Sequence, residues 1–147
     1  MASEVDKKGV IKAMTLAILL AFLGIAVLGW QYRRIEKEEI PALEEKIEQK
    51  SVELVLEKFM RSRIEKNEIE AMFYLTEGAV EQKNKGEFYL LDNFASFQVI
   101  NSEKIDEDSY HYAVKIFENG GLSTFVEVIR LIKILDQYYI DSVQIAG

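Results

Sequence analysis

Residues 13–30 read AMTLAILLAFLGIAVLGW, a run without a single charged side chain. At about 1.5 Å per residue it spans roughly 27 Å as a helix. That is close to the hydrocarbon thickness of a bilayer, and Val10 and Ile11 extend it. A helix satisfies its own backbone polar groups, which lipid cannot do. Trp30 and Tyr32 follow where amphipathic rings favour the membrane–water boundary. Lys12 at one end, and Arg33 and Arg34 at the other, can keep their charges in water. The stretch is read as an uncleaved single-pass anchor, Ala13 to Trp30 within a transmembrane helix over 10–30. Two other readings fit less well. A buried core helix would need a large domain around a run with no polar face. A cleavable signal peptide would use Lys7, Lys8 and Lys12 as its basic region, but the apolar run is longer than usual and no Ala-x-Ala follows.

The span divides the chain. Residues 1–9 form a short polar head, 31–50 a charged helical stalk and 51–147 one α+β domain. Lys7, Lys8 and Lys12 before the span are balanced by Arg33, Arg34 and Lys37 after it, so positive charge does not set the orientation. The short head is the simpler part to leave in the cytoplasm. That gives a cell-membrane protein whose C-terminal domain is extracytoplasmic. The whole chain carries a formal net charge of -7. Lys7, Lys8 and Lys12 outnumber Glu4 and Asp6 ahead of the uncharged run at 13–30, so the acidity belongs to the stalk and the domain. An acidic domain argues against nucleic acid as a partner. The absence of cysteine excludes disulfides and thiolate chemistry.

Beyond the anchor, Ile40-Pro41 punctuates the chain, because proline disfavours helix in the residue before it and suits a first helical position. Leu43, Ile47 and Leu54 then share a helical stripe, with Lys50 occupying one expected apolar place. From Ser51, Val52, Val55, Leu56, Phe59, Met60 and Ile64 recur at three- and four-residue steps, the pattern of a helix facing a core. Ile69 to Leu75 suggests a second short helix. Thr76 is placed to cap a third.

After Gly86 the period changes from 3.6 to 2. Strands are expected over Phe94 to Ile100, Tyr110 to Phe117, Phe125 to Leu135 and Tyr138 to Ile145. Turns are expected at Asn119-Gly120-Gly121 and Asp136-Gln137. In the second strand Tyr110, Tyr112, Val114 and Ile116 face one way, and His111, Ala113, Lys115 and Phe117 the other. In the last, Tyr139, Asp141, Val143 and Ile145 share a face. Short links between successive strands imply an antiparallel sheet. Helices first and strands after imply an α+β domain with helices on one face of a curved sheet.

Three features carry a resemblance. They are the helix at Val52 to Phe59 followed by Glu70 to Thr76, the long strand Val126 to Leu135, and the ending Asp136 to Val143. Together the pattern over Ser51 to Ala146 resembles the nuclear transport factor 2-like (cystatin-like cone) superfamily. The resemblance implies a strongly bent sheet wrapped on helices. It implies little about activity, because this superfamily includes enzymes, binding modules and membrane-anchored assembly subunits.

The candidate chemistry is sparse. His111 is the single histidine. It could serve as a general base, but spacing supplies no acid partner, and an outer-face position fits it as well. Asp141 with Tyr139 could act as base and hydrogen-bond donor, as in cone-fold enzymes, or form an outer-face pair. Ser142 lacks an activating neighbour. Glu44-Glu45 and Asp106-Glu107-Asp108 lack calcium-loop spacing and read as solvated charge. Phe88, Tyr89, Phe94, Phe97, Tyr110, Tyr112 and Phe117 could line a pocket or form core. No cofactor or metal site is expected. The function expected is a non-enzymatic binding or protein-interaction module tethered to the membrane, with a protein partner or a small apolar ligand. A small-ligand enzyme using Asp141 and Tyr139, or a structural subunit of a membrane assembly, are the alternatives.

Overall fold

The computed structural model describes residues 3–121 and 123–146, with side chains from Val10 onward. The chain divides into two compact units, 1–47 and 48–147. It is an α+β protein. Helix α1 runs Ser3–Arg34 and helix α2 Ile40–Ile64, with the π-helical turn Ile35–Glu39 between them. Short helices α3 (Glu68–Phe73) and α4 (Glu77–Asn84) follow, then strands β1 (Phe94–Asp106), β2 (Ser109–Glu118), β3 (Thr124–Ile134) and β4 (Gln137–Ile145).

In the first unit the apolar stretch is helical throughout, and its side chains from Val10 are exposed. The helix is long and apolar enough to cross a membrane. The polar head is itself helical from Ser3; Met1 and Ala2 lie outside the described residues. Ile40-Pro41 does not break the helix, contrary to the expectation from proline. The π turn explains why. A proline ring clashes with the carbonyl four residues back, and widening the helix there relieves the clash. The Ile40 N–H bonds to the Ile35 carbonyl five residues back instead.

The second unit begins at Glu48, within α2. Val52, Leu56, Phe59 and Met60 are buried, as their spacing predicts. The helix ends with Lys66 in the left-handed conformation (φ 58°). There the Asn67 N–H reaches the Ser62 carbonyl at 2.8 Å, which satisfies an otherwise orphaned acceptor. Asn67 then caps α3: its side chain accepts from the Glu70 N–H and its amide donates to the Glu70 carboxylate at 2.9 Å. Thr76 caps α4 by accepting from the Ala79 N–H.

The four strands form one antiparallel sheet in the order β1-β2-β3-β4, curved and open. Its inner face carries Tyr110, Tyr112, Val114 and Ile116 of β2, Ile129 and Leu131 of β3, and Tyr138 and Ile140 of β4, all buried. The Leu75 bridge to Ile140 covers part of the β4 edge.

Three strand expectations need correction. Strand β1 continues to Asp106, well past Ile100. Its distal half, Asn101 to Asp106, is exposed and, apart from Ile105, polar, so hydrophobic alternation could not reveal it; pairing with β2 holds it. The β3–β4 turn sits at Leu135-Asp136, one residue earlier than expected, with both residues left-handed (φ 48° and 63°). Finally, β4 does not keep its alternation. The register passes from Leu131↔Ile140 to Arg130↔Ser142, leaving Asp141 as an extra residue. Val143 therefore joins Tyr138 and Ile140 in the core, while Tyr139 and Asp141 do not.

Candidate functional site

Two polar clusters fix how α2 lies on the inner face of the sheet. The first is Arg63 with Glu127. Both are fully buried. The guanidinium grips the carboxylate with two bonds, Nη1 to Oε2 at 2.6 Å and Nη2 to Oε1 at 2.9 Å. It also donates to the carbonyls of Leu90 and Tyr89, at 3.2 and 2.8 Å. The rings of Phe59 and Phe94 lie 5.2 and 4.6 Å from its centre. A bidentate, fully satisfied pair of this kind holds its geometry well, though its desolvation cost offsets much of its Coulomb energy.

The second cluster surrounds Glu48. Its carboxylate receives Lys104 at 2.8 Å, Lys133 at 3.3 Å, the Tyr138 hydroxyl at 2.6 Å and the Tyr110 hydroxyl at 3.3 Å. These donors come from β1, β3, β4 and β2, so one carboxylate touches every strand. Tyr110 and Tyr138 pack edge to face, 5.8 Å apart. Lys104 and then Tyr138 hold Glu48 down at about 2, below the usual carboxylate range. In return Glu48 raises Lys104. Burial first, and then the Glu48 bond, raises Tyr138. In both clusters every charged or hydroxyl group named has a hydrogen-bond partner within the protein.

Between α2 and the β1–β2 side of the sheet lies a cleft of about 520 Å³. Leu56, Ile64, Phe97 and Val99 are its apolar lining, with Glu53, Glu57, Arg61, Ser102 and Tyr112. Tyr112 and Ser102 are register partners across β2 and β1. Tyr112 is 1% exposed, and its hydroxyl is buried without a hydrogen-bond partner. A buried unpaired hydroxyl is costly, and in a native fold it needs an explanation. Burial, with the nearby Glu53 carboxylate second, pushes the Tyr112 phenol up to about 12.

The residues singled out for catalysis lie elsewhere. His111, Asp141 and Tyr139 are all on the outer face. His111 stands between its register partners Glu103 and Arg130. Asp141 lies 3.6 Å from Arg130 and accepts from Thr76 at 3.4 Å. The Tyr139 hydroxyl donates to the Gln137 side chain at 2.9 Å. Tyr139 and Asp141 do line one open depression of about 700 Å³, with Thr76, Glu77 and Leu135, but His111 does not. Among the described residues no cluster of three His, Asp or Glu could hold a metal ion.

Of the aromatic set, Phe88, Phe94, Tyr110 and Tyr112 are core, and Phe97 joins Tyr112 at the cleft. Tyr89 is exposed, and Phe117 is on the outer face. Sequence reading passed over Glu48, Arg63 and the pairing role of Glu127. Glu127 did leave a signal, as the one acid in an apolar strand; nothing marked Glu48 among the other glutamates near it. No family model matches the chain, and no curated protein is significantly similar to it.

Proposed function

We propose that this protein is a single-pass, membrane-anchored, non-enzymatic binding module, and that its ligand occupies the cleft between α2 and β1–β2. The observation that carries the reading is that Tyr112, whose buried hydroxyl has no partner within the protein, lines a largely apolar cleft. A cleft of a few hundred cubic ångströms with few convergent polar groups is the usual form of a small-molecule site. The long apolar helix supports a tether. Helices preceding a curved meander match the element order that a resemblance to the nuclear transport factor 2-like superfamily implies. The outer-face positions of Asp141, Tyr139 and His111 favour binding over catalysis by those residues.

The test uses membranes from cells making the full chain. After high-salt and alkaline washes the chain should remain in the pellet; its appearance in the wash would overturn the anchor. Protein purified from those membranes should release a small molecule into organic solvent in roughly equimolar amount. Ser102→Trp, which fills the cleft beside Tyr112, should release none. Equal extracts from the two proteins would overturn the binding reading.

A further inference from the structure

The chemistry of the cleft narrows what it takes, a step that rests on reading the cleft as a binding site. Its charged groups already have partners. Glu57 and Arg61 pair with each other, and Glu53 accepts from Gln49 at 3.0 Å. The Tyr112 hydroxyl alone among its buried side-chain polar atoms is unsatisfied. With its phenol pushed up to about 12, Tyr112 keeps its proton at neutral pH and so offers a donor. The Glu53 carboxylate, close enough to act on that phenol, disfavours a second negative charge beside it. A protonated amine has no lone pair and could only donate to the hydroxyl oxygen, leaving the Tyr112 O–H proton without an acceptor.

We infer that the cleft takes a neutral, largely apolar small molecule bearing one carbonyl or hydroxyl oxygen, which accepts a hydrogen bond from Tyr112. The apolar body lies along Leu56, Ile64, Phe97 and Val99. Burial of that body supplies the affinity, and the single oxygen fixes its orientation. Occupancy also pairs a hydroxyl that has no partner within the protein.

Two photolabels of equal length test this: an octanol and an octanoate, each bearing a diazirine. The full chain in nanodiscs of neutral phospholipid is labelled at pH 7, and labelled peptides from residues 56–64 and 97–102 are counted. The octanol should label them saturably, with octanoate at least about tenfold weaker. Tyr112→Phe should raise the octanol half-saturation about fivefold, the factor that one neutral hydrogen bond gives. The same substitution should leave the unliganded protein as stable as before or more so, because it removes an unpaired hydroxyl. Octanoate labelling as tightly as octanol, or an unchanged half-saturation in Tyr112→Phe, would overturn the neutral-oxygen inference while leaving the cleft a binding site. No saturable labelling by either probe would overturn both. Should Tyr112→Phe not fold, Ser102→Trp decides: octanol labelling should vanish, and unchanged labelling would overturn the inference.

Discussion

The Tyr138 hydroxyl donates to the Glu48 carboxylate at 2.6 Å, joining the last strand to the first residue of the second unit. Lys104, Lys133 and Tyr110 bring the other three strands to the same two oxygens. At the other end of this part of α2, Arg63 and Glu127 do the same work inside the core. The helix is thus held to the sheet at two polar points, with the apolar stripe Val52, Leu56, Phe59 and Met60 between them.

Glu48→Gln should lower stability at neutral pH by about 1–2 kcal/mol, a modest value because the carboxylate is partly exposed. The effect should depend on pH in a set direction. Glu48 is held near 2 in the folded protein, against 4.5 ordinarily, so its contribution is full above the ordinary value and is lost as pH falls toward 2. Unfolding midpoints from pH 7 to pH 2 should therefore converge for the wild type and the variant. A gap that stays constant across that range would contradict the assignment.

Breaking the buried pair should cost more. Arg63→Met or Glu127→Leu alone should destabilise by about 3–5 kcal/mol, since each strands a buried polar partner. Arg63→Met with Glu127→Leu should cost less than the sum of the two single losses. Denaturant midpoints of the four proteins form the cycle, and strict additivity would show that the two groups do not act as a pair.

Leu135 occupies a left-handed turn position that favours Asn or Gly, and its side chain is 95% exposed. Leu135→Asn should raise stability by about 0.5–1 kcal/mol, because it relieves strain and loses no packing. A lower melting midpoint would show that Leu135 makes contacts that hold the hairpin.

Asp141→Asn should change stability by no more than about 0.5 kcal/mol, as expected of a surface ion pair. Octanol labelling of the cleft should also be unchanged. A large loss of labelling would return Asp141 to the site.

The fold was legible where burial imposes a period. The stripe from Val52 to Met60 predicted the core face of α2, and the alternation from Tyr110 to Phe117 predicted both faces of β2. It was not legible where another force decides. The exposed half of β1 is set by backbone pairing, which leaves no hydrophobic signature. The bulge at Asp141 moves Val143 to the inner face, and no local residue announces a one-residue insertion. Pro41 misled because the compensating π turn lies upstream of it. The site was hidden for a similar reason. Tyr112 reads as one more core aromatic, and only its three-dimensional surroundings show that its hydroxyl lacks a partner. Glu48 is one glutamate among several, distinguished by the four strands that converge on it.

The central claim is that the α2–β1 cleft is occupied in the anchored protein. A ligand that binds only the folded state raises its stability by mass action, so removing it should lower the unfolding midpoint. The measurement compares the full chain as gently purified with the same protein after exhaustive exchange into fresh lipid. The account predicts that the wild type loses stability on stripping and regains it when the extract is returned. Ser102→Trp should show neither change. A wild-type midpoint that stripping leaves unmoved would contradict the claim.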